Sequence, residues 1–359
     1  MDSITQAVLG ASVHTALLGR WQGRKALLFG ALLGTLPDLD VIIDYGDAVA
    51  DMTYHRGFSH SLFVLTGVAL LLTWLAVRWC AWRGLRLPLP GRVRPGYSAM
   101  RLFLAIWLVL VTHVLLDAFT SYGTQLFWPL DTPPVAWASV FIIDPLYSLP
   151  LLLAVLVVGV AGFRGRAARW PAAALALSTL YLGFTVAGKL MAAQRVEAEL
   201  ARQGIQAERL FSTPTPFNSL LWRVVVIDGE RYHEALVGWL DDGPPELVAL
   251  PRGARLAAAL ETSPQHQRLH WFTDGLLRYD VEDDQLLVTD LRLGMTGFHP
   301  FRFPLARRDE DGWQLVEQAE RLPAARGDLA RLEVLWRRIW NQQPEVPLGE
   351  WAIDLGRRR

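Results

Sequence analysis

His55-Arg56-Gly57-Phe58-Ser59-His60-Ser61 stands immediately before a long apolar run at residues 62–77. Upstream, Pro37-Asp38-Leu39-Asp40 closes another apolar run, and a third run at 102–116 carries His113 and leads to Asp117. Ionisable side chains at the ends of membrane-length apolar segments are costly to keep there, and they are retained where function needs them. Imidazole and carboxylate together also form the donor set of a zinc-type divalent cation site.

Composition sets the class. The chain has 359 residues, 52% of them hydrophobic and 19% charged, with a mean hydropathy of +0.23. That is too apolar for an ordinary soluble protein of this size and long enough for two domains. The 35 Lys and Arg balance the 35 Asp and Glu, so global charge gives no reason to expect a nucleic acid partner. The single cysteine, Cys80, lies in an apolar run and excludes an intrachain disulfide framework.

The first half alternates apolar runs with short polar links. Runs at 4–18, 26–36, 62–77, 102–116, 145–163 and 171–191 predict about six helices. A span needs about 20 residues, with roughly 17 as a lower limit; the last four can span, whereas the first two can do so only with polar ends placed at the interface or inside the bundle. After about Gln194 the pattern changes to short β-branched and aromatic stretches punctuated by Gly, Asp and Pro, the signature of strands and turns. Strands are expected at 222–227, 232–239, 269–272, 286–291 and 301–304, and a helix at 329–340. The expected fold is mainly α: a polytopic helical membrane bundle over 1–192, then a soluble α+β or mostly β domain over 193–359.

Charge asymmetry orients the bundle. Arg78, Arg83, Arg86, Arg92, Arg94 and Arg101 crowd one link, Arg164, Arg166 and Arg169 a second, and Arg20, Arg24 and Lys25 a third. These links alternate with links poor in Lys and Arg, so the positive-inside rule places them in the cytoplasm. Both chain ends and the C-terminal domain then face the outside of the plasma or inner membrane. From Arg101, His113 lies about 18 Å and Asp117 about 24 Å along a helix, and Lys25 to Asp38 is about 20 Å. Asp38, Asp40, His60, His113 and Asp117 therefore converge on one depth, near the outer boundary.

Each residue also has a plainer reading. His113 and Asp117, one helical turn apart, could be a hydrogen-bonded packing pair. Asp38 and Asp40 could merely end a helix at Pro37, and Ser59 or Ser61 could cap the helix that His60 opens. Arg56 could grip an anionic substrate group in bidentate fashion or be an interfacial arginine. Convergence from separate segments favours a shared site: His55, His60, His113, Asp117, Asp38 and Asp40 as metal ligands, with Asp38, Asp40 and Arg56 in catalytic roles. His14 falls too deep to join them, while Gln6 and Asp2 are near the right depth. His266, His270 and Asp274 read as structural, as do the isolated His233 and His299.

With Pro37-Asp38-Leu39-Asp40, the His55–Ser61 motif and the His113–Asp117 pair in view, the chain resembles the YdjM-like group of predicted membrane-bound metal-dependent hydrolases. Thr120-Ser121-Tyr122-Gly123, Trp128-Pro129 and Asp144-Pro145-Leu146-Tyr147 extend the likeness, which covers residues 1–150. The resemblance implies a relation to helical zinc phosphoesterases of the phospholipase C and P1-nuclease type. One departure is Thr5-Gln6, where many members carry a histidine; Gln6 is a poor zinc ligand, so either the site has fewer ligands or Asp2, Asp144 or water completes it.

The expectation is a metal-dependent hydrolase embedded in the lipid bilayer, using one or two divalent ions, zinc by ligand type. It would act on a phosphate ester or lipid-like ester through activated water. The rival is a non-catalytic, metal-stabilised membrane scaffold whose external domain binds an envelope partner. Turnover separates the two; substrate and oligomeric state are open.

Overall fold

The computed structural model describes residues 1–82, 98–323, 329–343 and 345–357, with side chains as far as residue 352. Helices α1 (Ser3–Gln22), α2 (Lys25–Thr35), α4 (Leu62–Trp82), α5 (Ala99–Ala118), α6 (Pro145–Ala161) and α7 (Trp170–Gln203) form on the six apolar runs. A short helix, α3 (Ala48–Tyr54), lies in the link before the His55 motif. Arg83, Arg86, Arg92 and Arg94 lie outside the described residues.

Among the described residues, three helices are long and apolar enough to cross a membrane: α4, α5 and the Gly165–Gln203 unit whose body is α7. At 11 and 17 residues, α2 and α6 are apolar but short, about 16 and 26 Å against a hydrocarbon core of about 30 Å. Six full spans are therefore more than these lengths support. The bundle has three full-length candidates with shorter helices packed among them. α1 is long but less apolar, and it packs on α2, α5, α6 and α7.

Glycine decides how close α1 and α2 come. A Cβ on Gly10 would collide with the Gly30 carbonyl oxygen, one on Gly30 with that of Gly10, and one on Gly34 with that of Gln6. The backbones touch, and this crossing fixes where the end of α2 delivers the residues that follow it.

At 34 residues, α7 is about 51 Å long and outreaches the hydrocarbon core by about 20 Å. Strands β1 (Arg209–Pro214), β2 (Leu221–Asp228), β3 (Arg231–Gly238) and β4 (Val248–Pro251) form an antiparallel sheet in that order. Trp222, Val224 and Val226 pack on Ala192, Val196 and Leu200 at the exit of α7. Alternate residues Val225 and Ile227 meet Leu276 and Leu291. Because both faces are buried, β2 reads in sequence as a continuous apolar run rather than an alternation. A second antiparallel sheet follows, with β5 (Leu277–Glu282), β6 (Gln285–Asp290), β7 (Arg302–Asp309) and β8 (Gly312–Leu315) in order. Helices α9 (Leu329–Trp340) and α10 (Leu348–Arg357) close the chain.

One expected strand is a helix instead. Residues 269–272 belong to α8 (Pro264–Thr273), which opens with Ser263 accepting from the His266 amide and with Pro264 in its first turn. A four-residue apolar run does not distinguish strand from helix; the cap and proline do. His266 bonds the Tyr279 hydroxyl at 2.9 Å and Asp274 pairs with Arg209 at 3.2 Å. His233 pairs with Asp228, and His299 Nδ1 lies 3.0 Å from the Leu293 carbonyl oxygen.

The two halves share a core. Val49 and Met52 of α3 are buried with Leu269, Phe272, Leu277 and Phe303. Arg268 donates to the Thr53 carbonyl oxygen and lies 4.2 Å over the Tyr54 ring. The link carrying the His55 motif is thus clamped between bundle and sheets.

Candidate metal centre

Three segments build the centre. Pro37 ends the α2 segment and opens a 3-10 turn, Pro37–Ile42, where its missing N–H costs nothing. A 3-10 turn rotates about 120° per residue, so Asp38 and Asp40 point in different directions. His60 closes another 3-10 turn, Phe58–His60, directly before α4. His113 and Asp117 share one face of α5.

Asp38 Oδ1, His60 Nε2, His113 Nε2 and Asp117 Oδ2 converge. Each imidazole nitrogen is 3.4 Å from Asp38 Oδ1 and 3.2–3.3 Å from Asp117 Oδ2, and the two nitrogens are 3.4 Å apart. All four donor atoms lie within 4.8 Å of one another. His60, His113 and Asp117 are fully buried, while the Asp38 side chain keeps 20% exposure.

The outer hydrogen bonds fix the tautomers. His113 Nδ1 lies 2.6 Å from the Gly34 carbonyl oxygen, which can only accept, so Nδ1 carries a proton. Ser59 Oγ lies 2.6 Å from Asp40 Oδ2 and must donate to it, so it accepts from His60 Nδ1 at 2.9 Å. Both Nε2 atoms therefore face the group. Imidazolium–carboxylate hydrogen bonds would draw N and O to about 2.7–2.9 Å. The separations here are longer and nearly equal. The four N–O separations and the N–N separation, at 3.2–3.4 Å, are edge lengths of a tetrahedron whose centre is about 2.0 Å from each corner, the zinc–nitrogen and zinc–oxygen bond length. Two carboxylates and two neutral imidazoles also balance a divalent charge, so the residues fit such an ion.

The other oxygen of Asp117 is occupied. Oδ1 accepts from Gln6 Nε2 at 3.1 Å, pairs with the Arg56 guanidinium at 3.3 Å and receives the Met1 amino group. This leaves Oδ2 for the centre. Arg56 is 4% exposed, also bonds Thr120 Oγ1 and lies 4.9 Å over the Tyr122 ring. Its φ of 61° is a left-handed conformation uncommon outside glycine. Gln125 holds the turn, its amide donating to the Arg56 carbonyl oxygen and its side chain to that of Thr53.

Four of the six expected ligands thus come together, and His55 and Asp40 stand one layer back. His55 Nδ1 is 3.0 Å from Asp40 Oδ1, and Asp40 Oδ2 also accepts from the Arg56 amide. Burial pushes the Asp40 carboxyl up, but His55 and Ser59 more than offset it and hold it below its ordinary value. Asp40 steers His60 through Ser59, while Arg56 neutralises Asp117 instead of presenting a free fork to a substrate. Sequence reasoning missed Ser59 as a relay, because a serine before a helix reads first as a cap; Ser61 is that cap, accepting from the Phe63 amide. The Gly34 carbonyl carries no side-chain signal at all. Gln6 reaches the centre, whereas Asp2 caps α1 and Asp144 caps α6 while binding Tyr181. His14 pairs with Gln22, away from the group.

Outer-layer partners of metal-bound histidines typically contribute 10–100-fold in affinity. Ser59→Ala is therefore expected to weaken ion retention by about that factor with the fold intact. Titrating the bound ion away with a graded chelator measures it, and unchanged retention would remove Ser59 from the relay.

A helical membrane bundle with a buried two-histidine, two-aspartate centre defines the class. The chain belongs to the YdjM inner membrane protein family, whose model matches residues 1–192. It is similar to inner membrane protein YbcI of Escherichia coli strain K12, 31% identical over 126 residues, which covers 35% of this chain and 64% of that protein. It is also similar to the uncharacterized protein YfhP of Bacillus subtilis strain 168, 24% identical over 325 residues, covering 84% of this chain and 89% of the relative. No solved structure matches the chain.

Proposed function

We propose that this protein is a membrane-bound metal-dependent hydrolase acting on a phosphate ester, lipid-like in character because the site lies near the bilayer boundary. The observation that carries the reading is the convergence of donor atoms from Asp38, His60, His113 and Asp117 within 4.8 Å of one another, with Asp38 alone partly exposed. A bound divalent cation such as zinc supplies a Lewis acid and lowers the pKa of a water molecule to near 7. His60, His113 and Asp117 would hold the ion. Asp38, the partly exposed fourth donor, would be the residue placed to exchange its bond for a water molecule and to accept that water's proton. Asp40, Ser59 and Arg56 keep the donors in register. A cavity of about 490 Å³ lies one layer behind the donors, lined by Asp40 and His55 together with Tyr45, Tyr122, Phe301 and Arg321.

A second reading has its own support. Structural zinc sites are closed by four protein ligands, whereas catalytic sites keep a position for water, and three donors here are fully buried. The ion would then brace a scaffold. Asp38→Ala separates the readings in detergent-purified protein. Under the hydrolase reading the variant retains an ion on three ligands, and the metal-dependent cleavage of short-chain phosphate esters seen in the wild type is lost. Ion loss from Asp38→Ala, together with no cleavage by the metal-loaded wild type, would favour the scaffold.

The arginine-rich links support an outward-facing site and C-terminal domain. A cysteine at Glu310 is expected to react with a membrane-impermeant maleimide in intact cells, and one at Arg166 only after permeabilisation. Reversed accessibility would overturn this orientation.

A further inference from the structure

The C-terminal domain carries an apolar ridge that is exposed among the described residues. On α9, Leu329, Trp336 and Trp340 are 81%, 57% and 52% exposed. Separations of 7 and 11 residues place them within about 40° of one line along the helix, at 100° per residue. The buried side lies about 80–120° round the helix, with Leu335 and Ile339 packed on Leu221, Leu236 and Trp351. A polar domain in water gains nothing by displaying two tryptophans and a leucine in a row.

This ridge continues into the bundle. Trp336 and Ile339 share a cavity of about 310 Å³ with Phe217, itself 47% exposed. The Phe217 ring is 5.5 Å from Phe141. Ile142 and Ile143, both at least 40% exposed, follow immediately and lead into α6. On the neighbouring helix, Phe184 stacks on Trp239 at 5.1 Å, beside Leu240, which is 56% exposed. Phe184 lies about 21 Å along α7 from Trp170, within the reach of a 30 Å hydrocarbon core. The apolar surface thus passes from the membrane-spanning helices onto the C-terminal domain.

The bundle's other end is marked in the same way. Trp79, Trp82 and Trp170 are exposed there, next to Arg78 near the end of α4 and Arg169 just before α7. Tryptophans concentrate at both membrane–water interfaces, where an apolar ring with a polar N–H fits the headgroup layer. The bundle's far end has Phe127, Trp128 and Trp137. We propose that the C-terminal domain completes this far girdle, laying α9 along the phospholipid bilayer surface through Leu329, Trp336 and Trp340, with Phe217 and Leu240 in the same layer. Glu333 and Arg337 flank the ridge and pair with each other, so the attachment is apolar and depends little on anionic lipid.

The test uses the full chain with Cys80→Ser, reconstituted in nanodiscs of phosphatidylcholine with or without phosphatidylglycerol. Nitroxide labels at Trp336→Cys and Trp340→Cys are compared with one at Glu310→Cys, on the charged turn between β7 and β8. Collision with oxygen relative to a water-soluble nickel chelate is expected to be about threefold higher or more at 336 and 340, with or without phosphatidylglycerol, as for an interfacial helix. Ratios equal to that at Glu310 would overturn the proposal. So would dipolar coupling between labels on two chains, which would assign the ridge to a second copy.

Discussion

Asp117→Ala is expected to have the largest effect of any single substitution. It removes one donor of the four and leaves the guanidinium of Arg56, 4% exposed and 3.3 Å away, without its counter-charge. Removing one partner of a buried ion pair typically costs about 3–5 kcal/mol. The variant should therefore bind no ion at the centre and unfold well below the wild type, by both metal analysis and thermal unfolding in detergent. Adding Arg56→Met should restore part of the stability, because the stranded charge is gone, but none of the ion binding. Wild-type ion content in Asp117→Ala would remove this carboxylate from the centre. Equal melting of the single and double variants would show that Arg56 is not held by Asp117.

Gly10→Val should act on the same centre from a distance. Any side chain at Gly10 meets the backbone of Gly30 and Gly34 across the α1–α2 crossing, and overpacking of this kind costs about 1–3 kcal/mol. The chain can relieve the overlap only by moving α2 away. That motion carries the Gly34 carbonyl from His113 Nδ1, now 2.6 Å distant. Ion affinity should fall by about 10-fold or more, as for other second-layer changes, although Gly10 touches no donor. Gly67→Ala is the matched control, because nothing lies within 4 Å of a Cβ there; it should leave ion retention unchanged. Equal retention in Gly10→Val and wild type would break the link between helix crossing and metal geometry.

The outer layer of the centre also explains why its motifs are compact. His60 needs Ser59 next to it in sequence, Asp40 to orient Ser59, and the Arg56 turn to bring its own amide to Asp40. Three residues in two short segments thus orient one imidazole. Gly57 is held to the same tight course, since a Cβ there would lie 2.7 Å from the Tyr54 carbonyl oxygen.

Much of this protein was legible in the chain itself. Each of the six apolar runs became a helix, because backbone polar groups in lipid must be satisfied within each segment. The four-residue spacing of His113 and Asp117 fixed a shared face, since helical periodicity is local. Depth counting along two helices brought Asp38, His60, His113 and Asp117 to one level. What local periodicity cannot encode was decided by the tertiary structure. Asp38 and Asp40 are two residues apart and looked equivalent, yet the 3-10 turn aims one at the centre and the other at Ser59. His55 and His60 looked like paired ligands, but the left-handed turn at Arg56 sends His55 back to Asp40. The strand expected at 269–272 became α8, where a cap and a proline outweigh a short apolar run. Sharing of α3 between the bundle and the second sheet was likewise invisible, because Val49 and Met52 find their partners more than 200 residues away. Sequence determines the depth and identity of the donors through regularities that repeat within a helix. Which donors meet depends on turns and helix crossings, whose geometry is set by contacts distant along the chain.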